Sequence, residues 1–549
     1  MKTDVLIIGS GIAATALASR LLEADPRREI LILEAGSRVK MQDQALWTDF
    51  MVSGATYSNL PYYRYNDLPY PERDFPGENR NVGGTTVPLA GARVMTYGGS
   101  TMHWGGWSFR LKEEDFRMRT NTGQGADWPV GYADLEPYYC QAEHYIGVSG
   151  DSDDQSPPRT RDYRFPAFPF SKEDGKAYRA MAALGIPAQH LPIARHGITD
   201  TTSRHAPCKT TGTCKYCPFG ARYAATNFLN DMLNWCDYAN LQVMDNCVVD
   251  TITMSAKNLA SGVVCIDQST GVALDIAANT VIVASGAIES PKLLLRSNSQ
   301  FWVNGIGNDH DLVGRYFVTH PYFIFTAAME TNGERLQPEM DFPTLCSRHF
   351  DSPEEQEKGK FILVNPPSAT VPMVNGMVMN VAQMMQVGMT RAEIDAAMTG
   401  PAQVQIHSML EIPSEYGNRV LNLEIRNRLG LRQTIVDYTQ SGKFNERVRE
   451  MGAHVARIFE TMGAVPQGAP SISWRADHAA CTCRMADTEQ DGVVDRNLKV
   501  FGVDNLYVCS NAVFPSTGAV NPTLTLTALT LRLGDHLAEQ GRPAQGGSA

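Results

Sequence analysis

The chain opens with a strand, a glycine-rich turn, a helix and a second strand, in that order. Residues 4–8 are an apolar run that predicts a buried strand, and residues 9–14 read Gly-Ser-Gly-Ile-Ala-Ala before a helical pattern. A second strand pattern, residues 29–33, is followed directly by Glu34. This order is typical of a Rossmann-type βαβ unit that binds a dinucleotide, and it predicts an α/β fold.

Four residues of this unit have a physical role in binding. Gly9 allows the tight turn, and Gly11 lets the main chain approach a pyrophosphate at the helix N-terminus. Ala14 permits close packing of the helix on the strand, and Glu34 is placed to bond ribose hydroxyls. The alternative is a glycine turn in some other α/β protein.

A second segment favours FAD over NAD as the dinucleotide. Residues 279–295 predict a strand, a glycine turn and a helix, which would bring Ser285 and Gly286 to the same cofactor. Folds that wrap FAD commonly begin with a βαβ unit and return to it late in the chain. The alternative here is a plain strand–helix connection.

Composition excludes several classes of function. The chain has 549 residues, enough for more than one hydrophobic core. Its net charge of −11 would repel nucleic acid, and no stretch approaches the roughly 20 apolar residues of a membrane span. Because the chain enters a strand directly after residue 4, we expect no signal peptide. The low-complexity residues 541–549 are expected to be disordered.

Three cysteines lie close together in the middle of the chain: Cys208, Cys214 and Cys217. The chain has 11 cysteines, an odd number that argues against a full disulfide framework. Three thiolates could ligate an iron–sulfur cluster. With His205 they could form a Cys3His zinc site, and a disulfide with one spare thiol is a third possibility. Spacing alone does not choose among these.

The last 80 residues carry a family resemblance. Residues 478–485 read His-Ala-Ala-Cys-Thr-Cys-Arg-Met, and residues 521–525 read Asn-Pro-Thr-Leu-Thr. They resemble the glucose–methanol–choline (GMC) family of FAD oxidoreductases, in which His-x-x-Gly-Thr-Cys-Arg-Met precedes an Asn-Pro-Thr-Leu-Thr block. Cys481 stands where the family usually has glycine. Residues 313–321 also match the family, and residues 325–400 are the least recognisable part.

The resemblance implies an α/β (α+β overall) GMC fold with two intimately joined domains. One is a Rossmann-type FAD-binding domain and the other a discontinuous substrate domain of sheet and helices. The expected bounds are 1–160, 205–315 and 475–540 for the FAD-binding domain, with a cysteine loop at 205–223, and 161–204 and 316–474 for the substrate domain.

The resemblance also assigns the catalytic roles. His478 would remove the hydroxyl proton while a hydride passes to the flavin, and Asn521 would hold the same hydroxyl; a histidine near neutral pKa suits this task. Asn521 could instead cap the final helix, since Pro522 follows it. Further residues expected at the cofactor are Gly98, Gly99, His103, Val249, Asn511, Ala512, Pro522 and Thr523.

Three aspects of the site are left open by the resemblance. His103 stands where some relatives carry FAD covalently, whereas other relatives lack that bond. Trp104 and Trp107 are either a sugar-stacking wall or core residues. Glu411 could bond sugar hydroxyls, or it could be a satisfied strand residue.

A subgroup of bacterial sugar dehydrogenases in this family has a similar cysteine pattern, Cys-x5-Cys-x3-Cys-Pro-x-Gly-Ala-x-Tyr. Here the spacing is Cys208-x5-Cys214-x2-Cys217-Pro, so the last gap is one residue shorter. The subgroup implies a three-iron (3Fe-4S) cluster on these three thiolates. The shorter gap changes the loop and could permit another metal.

The function implied is oxidation of a CH–OH group of a sugar or glycoside, of the glucoside 3-dehydrogenase type. Electrons would leave the flavin through the cluster to an external acceptor such as cytochrome c. The resemblance also implies a small partner subunit that carries the export signal, hence a periplasmic location by co-export, with a cytoplasmic location as the alternative. Other readings are an FAD glucose 1-dehydrogenase or polyol dehydrogenase, an oxygen-using pyranose oxidase with a structural cysteine cluster, and a non-catalytic flavin-binding subunit.

Overall fold

Two large sheets organise the chain, and both are accompanied by helices as the sequence predicts, so the α/β class is confirmed. The structure is a computed structural model. It describes residues 1–38, 79–89, 92–199, 206–209, 220–236, 238–332, 340, 342–366, 381, 384–426, 432–440 and 442–540.

The elements follow the chain in a mixed order of strands and helices. The strands are β1 (Lys2–Ile8), β2 (Ile30–Leu33), β3 (Asn79–Val82), β4 (Val148–Gly150), β5 (Phe165–Pro166), β6 (Gln189–His190), β7 (Ile193–Ala194), β8 (Leu241–Met244), β9 (Cys247–Ala256), β10 (Leu259–Asp267), β11 (Ala273–Val283), β12 (Pro321–Met329), β13 (Leu345–Ser347), β14 (Phe361–Asn365), β15 (Ala402–Leu410), β16 (Arg419–Arg426), β17 (Arg432–Asp437), β18 (Ala464–Pro466), β19 (Ser471–Trp474) and β20 (Leu506–Val508). The helices are α1 (Ile12–Ala24), α2 (Met118–Thr122), α3 (Tyr132–Ile146), α4 (Lys172–Ala183), α5 (Ala225–Asn234), α6 (Gly286–Arg296), α7 (Arg391–Thr399), α8 (Phe444–Thr461) and α9 (Thr523–Gln540).

The first sheet holds the N-terminal βαβ unit. Its order is β8-β2-β1-β11-β10-β9, and β20 pairs with the carboxyl-terminal part of β11. The strands β8, β2, β1, β11 and β20 run parallel, whereas β10 and β9 are antiparallel. Parallel strands are covered on both faces, which is why β2 reads Ile-Leu-Ile-Leu and is buried throughout.

The second sheet is antiparallel, with the order β18-β12-β15-β14-β13-β6 and with β19 also pairing β12. Along β12 buried and half-buried residues alternate, as expected of a strand whose two faces meet different surroundings. The helix α8 contacts β12 and α4. Buried apolar residues of both sheets form one continuous cluster.

The two sheets draw on different parts of the chain. All strands of the first sheet lie within the segments predicted for the FAD-binding domain, and all strands of the second sheet lie before residue 475 in the segments predicted for the other. A small sheet, β5-β4-β7, crosses the predicted boundary at residue 160. The domain bounds therefore stay a prediction.

Within the described ranges, every helix is too short or too polar to cross a membrane.

A buried ion cluster joins the two parts of the chain. The Lys360 side chain is fully buried, and its ammonium contacts the carboxylate of Asp115 and lies 2.9 Å from Asp351 Oδ1 and 3.5 Å from Glu114 Oε1. Arg348 Nε also donates to Asp351 Oδ2 at 2.7 Å. Because these carboxylates are buried, each depends on the cations that face it.

Replacing Lys360 with methionine removes the shared cation and leaves buried carboxylates beside one another. We expect Lys360→Met to lower the free energy of unfolding by about 3–5 kcal/mol, measured by urea titration. The control is Lys358→Met, because Lys358 is half-exposed and its nearest carboxylate oxygens lie at 3.7 and 3.8 Å. Equal effects of the two substitutions would contradict the assignment.

Candidate active site

One open cleft runs from the N-terminal glycine turn to the start of the last helix, with about 1810 Å³ of empty space. It collects residues from distant parts of the sequence. Of the residues predicted to form the site, the cleft is lined by Gly9, Gly11, Glu34, Gly99, His103, Trp104, Trp107, Val249, Ser285, Gly286, His478, Asn511, Asn521 and Thr523.

Four other predicted cofactor residues lie behind this lining. Ala14 is fully buried in α1, which fits its expected packing role. Gly98 has a φ of +97°, and a Cβ there would lie 2.2 Å from Thr226 Oγ1, so the turn requires glycine. Ala512 is fully buried and accepts a hydrogen bond from the amide of Cys483, and Pro522 is buried directly before α9.

The two glycines of the N-terminal turn meet different requirements, close packing at Gly9 and open space at Gly11. Gly9 has a φ of +102°, and a Cβ there would lie 2.7 Å from the Ala284 carbonyl oxygen, so packing alone requires glycine. A Cβ at Gly11 would meet no protein atom within 4 Å. The space above Gly11 therefore belongs to the cleft, where a ligand can approach the main chain at the start of α1.

Glu34 is held in place by a residue that the sequence analysis missed. Its Oε2 accepts hydrogen bonds from Ser10 N at 2.9 Å and Ser10 Oγ at 2.6 Å, and its Oε1 accepts one from Gly36 N at 2.9 Å. Ser10 Oγ in turn accepts from Gly98 N at 2.9 Å. Burial raises the pKa of Glu34, and these hydrogen bonds oppose that shift. The glycine motif allows any residue at position 10. The hydroxyl of Ser10 was therefore the sole indication in the sequence that this residue could bind Glu34.

These features fit a bound dinucleotide such as FAD. Gly11 and Gly286 leave open space for its diphosphate, and Glu34 faces the same cleft. In the same cleft, the side-chain oxygens of Asn511 and Asn521 are buried and have no hydrogen-bond partner in the described part of the chain. Because an unpartnered buried amide oxygen is costly, both groups suit a ligand in the cleft.

His478 lies between two partners that come from different segments. Its Nε2 is 3.2 Å from Asn521 Nδ2, and its Nδ1 is 3.0 Å from His320 Nδ1. His320 Nε2 is 2.7 Å from the Gly518 carbonyl oxygen. In the sequence, His320 stands out only as part of the segment 313–321 that matches the family, and no role was predicted for it.

These distances fix the tautomers of both rings. A carbonyl oxygen only accepts, so His320 Nε2 carries the proton and His320 Nδ1 is an acceptor. His478 Nδ1 must then donate to it, which leaves His478 Nε2 unprotonated. Asn521 Nδ2 donates to that nitrogen, so Nε2 is the basic atom and lies beside the amide that faces the cleft.

Both imidazoles are neutral at pH 7. Burial lowers the pKa of His320 to about 4, opposed by its bond to Gly518. Burial lowers the pKa of His478 well below its usual range, and His320 and Arg475 lower it further. His478 is therefore available as a base throughout the neutral range.

Both tryptophans line the cleft and also pack against the core, so the two alternatives for them are compatible. Trp104 Nε1 donates to the Tyr223 carbonyl at 2.8 Å, which fixes the ring. Whether His103 bonds covalently to a cofactor stays a prediction, although its position on the cleft is compatible with either outcome.

Glu411 was predicted to bond sugar hydroxyls, with a strand role as the alternative, and its role stays a prediction. The residue is buried beside Lys360, whose amide lies 3.5 Å from Glu411 Oε2, and it does not line the cleft. Burial raises the pKa of Glu411 to about 8, although Lys360 opposes the shift. The strand β15 ends at Leu410, and Glu411 follows it beside the ion cluster, where its Oε1 has no hydrogen-bond partner among the described residues.

The backbone conformation at Cys481 bears on the departure from the family pattern, which usually has glycine at this position. Its φ is +71°, in the left-handed region that favours glycine, and its side chain is fully buried. The family's usual glycine would adopt this conformation without strain, so the cysteine is tolerated here at a cost.

The cysteine cluster is described only at Cys208; His205, Cys214 and Cys217 lie outside the described residues. Cys208 Sγ accepts a hydrogen bond from Arg195 Nη1 at 3.5 Å. The main chain of Arg195 pairs with that of Arg222, whose Nη1 donates to the Trp104 carbonyl at 2.6 Å. No group of three metal-ligating side chains occurs among the described residues, and the iron–sulfur site stays a prediction.

Comparisons with known proteins agree with the fold. Residues 175–322 and residues 417–530 match the N- and C-terminal family models described as GMC oxidoreductase. The chain is 26% identical to the fructose dehydrogenase large subunit of Gluconobacter japonicus, over 97% of each chain. It is 27% identical to 2-methyl-1,2-propanediol dehydrogenase of Mycolicibacterium austroafricanum, over 78% of each.

Solved structures show the same fold. Pyridoxine 4-oxidase from Mesorbium loti superposes with a TM-score of 0.64 at 18% identity, covering 98% of this chain and 100% of that one. At this identity the likeness concerns the fold alone.

Removing the acceptor at His320 should impair the base without disturbing the cofactor site. We expect His320→Leu to slow flavin reduction by a substrate about 10- to 100-fold, because His478 loses the partner that fixes its tautomer. His320→Gln can still accept from His478 and should keep more of the rate. In His320→Gln the acidic limb of the pH–rate profile should move to higher pH, since His320 no longer lowers the pKa of His478. Unchanged profiles with an unchanged FAD content would contradict the role of His320.

Proposed function

The chain belongs to the GMC oxidoreductase family, and from that premise we propose that it is a FAD-dependent dehydrogenase that oxidises a CH–OH group of a sugar or glycoside. Oxidation at an alcohol or sugar CH–OH group follows from the family. The finer assignment, a glucoside 3-dehydrogenase type of enzyme that passes its electrons to an iron–sulfur cluster, is the proposal.

The observation that carries the proposal is the unprotonated Nε2 of His478 beside the amide of Asn521. The two atoms lie 3.2 Å apart on the cleft. A substrate hydroxyl that lies beside both atoms and displaces their mutual hydrogen bond can give its proton to Nε2 and accept a hydrogen bond from the amide N–H. Bound FAD supplies the acceptor for the hydride of the same carbon. The side chains of this protein orient the alcohol and take up its proton.

A sugar suits this cleft for two reasons. Trp104 and Trp107 line the same cleft as His478, and aromatic surface packs against the apolar faces of sugar rings. A relative matched over 97% of its length is named as a fructose dehydrogenase subunit. A polyol remains the nearest alternative substrate class, because the second relative is named for a diol.

The proposed electron exit is a three-iron cluster held by Cys208, Cys214 and Cys217. Its support is the three-cysteine sequence, together with the hydrogen bond from Arg195 to Cys208 and the main-chain pairing of Arg195 with Arg222, which donates to the Trp104 carbonyl on the cleft wall. A cluster at that position would lie between the cleft and solvent, since Cys208 is half-buried. An external acceptor such as cytochrome c would then receive the electrons.

We also propose a small partner subunit and a periplasmic location reached by co-export with it. The support is the name of the Gluconobacter japonicus relative, which describes a large subunit. Copurification of a small second chain with this protein would be the first sign of such an assembly.

Anaerobic mixing with sugars should bleach the flavin, and oxidised cytochrome c or ferricyanide should restore it. We expect His478→Ala to slow bleaching about 100- to 10,000-fold, because the alcohol proton has no acceptor. His536→Ala, on the far end of α9, serves as the control and should leave the rate unchanged. Hydrogen peroxide formed in air at one equivalent per product would overturn the dehydrogenase in favour of an oxygen-using oxidase.

Iron and acid-labile sulfide analysis with EPR tests the proposed cluster. We expect about three irons per chain, in keeping with a cluster that needs three thiolates. Cys208→Ser should lose this iron, whereas Cys236→Ser, which removes an exposed free cysteine, should keep it. Zinc in place of iron would overturn the electron exit and leave the oxidation chemistry standing.

A further inference from the structure

We propose that the ion pair between Arg475 and Asp477 is the element that selects polyhydroxylated substrates, by binding hydroxyls next to the carbon that is oxidised. This inference rests on the proposed function, because it concerns the substrate end of the same cleft. Neither residue was predicted as part of the site from the sequence.

The pair has a two-point geometry. Arg475 Nε lies 2.9 Å from Asp477 Oδ2, and Arg475 Nη2 donates to Asp477 Oδ1 at 3.1 Å. Both residues line the cleft. A guanidinium and a carboxylate held in this way present a fixed row of donors and acceptors.

The pair has a fixed position relative to the base. Residues Ala476–His478 form one 3₁₀ turn, which Ala479 N closes by donating to Ala476 O at 3.2 Å. Thr319 Oγ1 donates to the Arg475 carbonyl at 2.6 Å and anchors the start of the turn. Arg475 lies close enough to His478 to lower its pKa. When the substrate carbon to be oxidised lies at His478 Nε2, the hydroxyls on its neighbouring carbons therefore lie near the charges of Arg475 and Asp477.

Stability does not account for the pair. The side chains of Arg475 and Asp477 are 47% and 33% exposed, and a pair this exposed contributes little to folding. The Arg348–Asp351 pair differs, since its side chains are 4% and 0% exposed within the ion cluster. An accessible charged pair on the cleft, three residues from the base, is placed to meet a ligand.

The chemistry of the pair matches a diol. One hydroxyl can donate to the carboxylate of Asp477, and its neighbour can accept from the guanidinium of Arg475. Trp104 and Trp107 line the same cleft and offer the apolar surface that the carbon face of a sugar needs. A monohydric alcohol that displaced water from the pair would leave both charges without hydroxyl partners, and sites built for a hydroxyl reject analogues that lack it.

The test compares substrates that differ in hydroxyl number. Anaerobic stopped-flow reduction of the holoenzyme is measured with 1-propanol, 1,2-propanediol, glycerol and D-fructose, which gives a Kd and a limiting rate constant for each. The variants are Asp477→Asn and Arg475→Gln. The control variants are Arg391→Gln and Asp395→Asn, which disrupt an exposed pair of similar length on α7.

We expect both test variants to raise the Kd of the polyols at least about tenfold, the loss typical of a charged hydrogen bond. The Kd of 1-propanol should change by less than about threefold, so the ratio of the two constants collapses toward one. The control variants should leave that ratio unchanged. A purely structural role would shift all substrates together.

The outcomes separate the inference from the proposed function. If the variants raise the Kd of 1-propanol and of the polyols equally, or change neither Kd, the inference is wrong and the proposed function stands. Isothermal calorimetry with D-fructose and glycerol covers the case in which no alcohol reduces the flavin. Binding that Asp477→Asn weakens would then keep the inference and overturn the function, whereas no binding to the wild type would overturn both.

Discussion

The parallel pairing of β1 with β11 is the constraint on which the cleft depends. It places residues 2–8 beside residues 277–283, and β20 continues the same parallel set along β11. The carboxyl ends of these strands meet at one edge of the sheet, where open α/β sheets bind their ligands. Three turns that are distant in the sequence consequently open into one space: the glycine turn after β1, the turn before α6, and the residues after β20.

Much of this arrangement could be predicted from the sequence, because it depends on local pattern. The βαβ unit is encoded by apolar runs and glycine spacing, and the fold class and the family are confirmed. The residues at His478 and Asn521 were found through contiguous motifs. Each of these signals lies within a short segment, where a chain's pattern directly reflects its backbone.

The rest could not be read from the sequence, because it depends on which distant side chain arrives as a partner. His320 acquires its role only when residues 478 and 518 lie on either side of it. Glu411 directly follows β15, but only the fold brings it beside the buried Lys360, whose amide lies 3.5 Å from Glu411 Oε2. Arg475 and Asp477 precede the base in the sequence, but only their exposure on the cleft distinguishes them from an ordinary surface pair.

The hydrogen-bonded row of imidazoles also limits where the proton can go after the reaction. A proton that arrives at His478 Nε2 can be shared with His320, but the row ends at the Gly518 carbonyl, which cannot take it further. The buried end of the row is therefore closed to proton exit. In the proposed reaction the proton must leave through the nitrogen by which it came, so the base regains its neutral form from the cleft side.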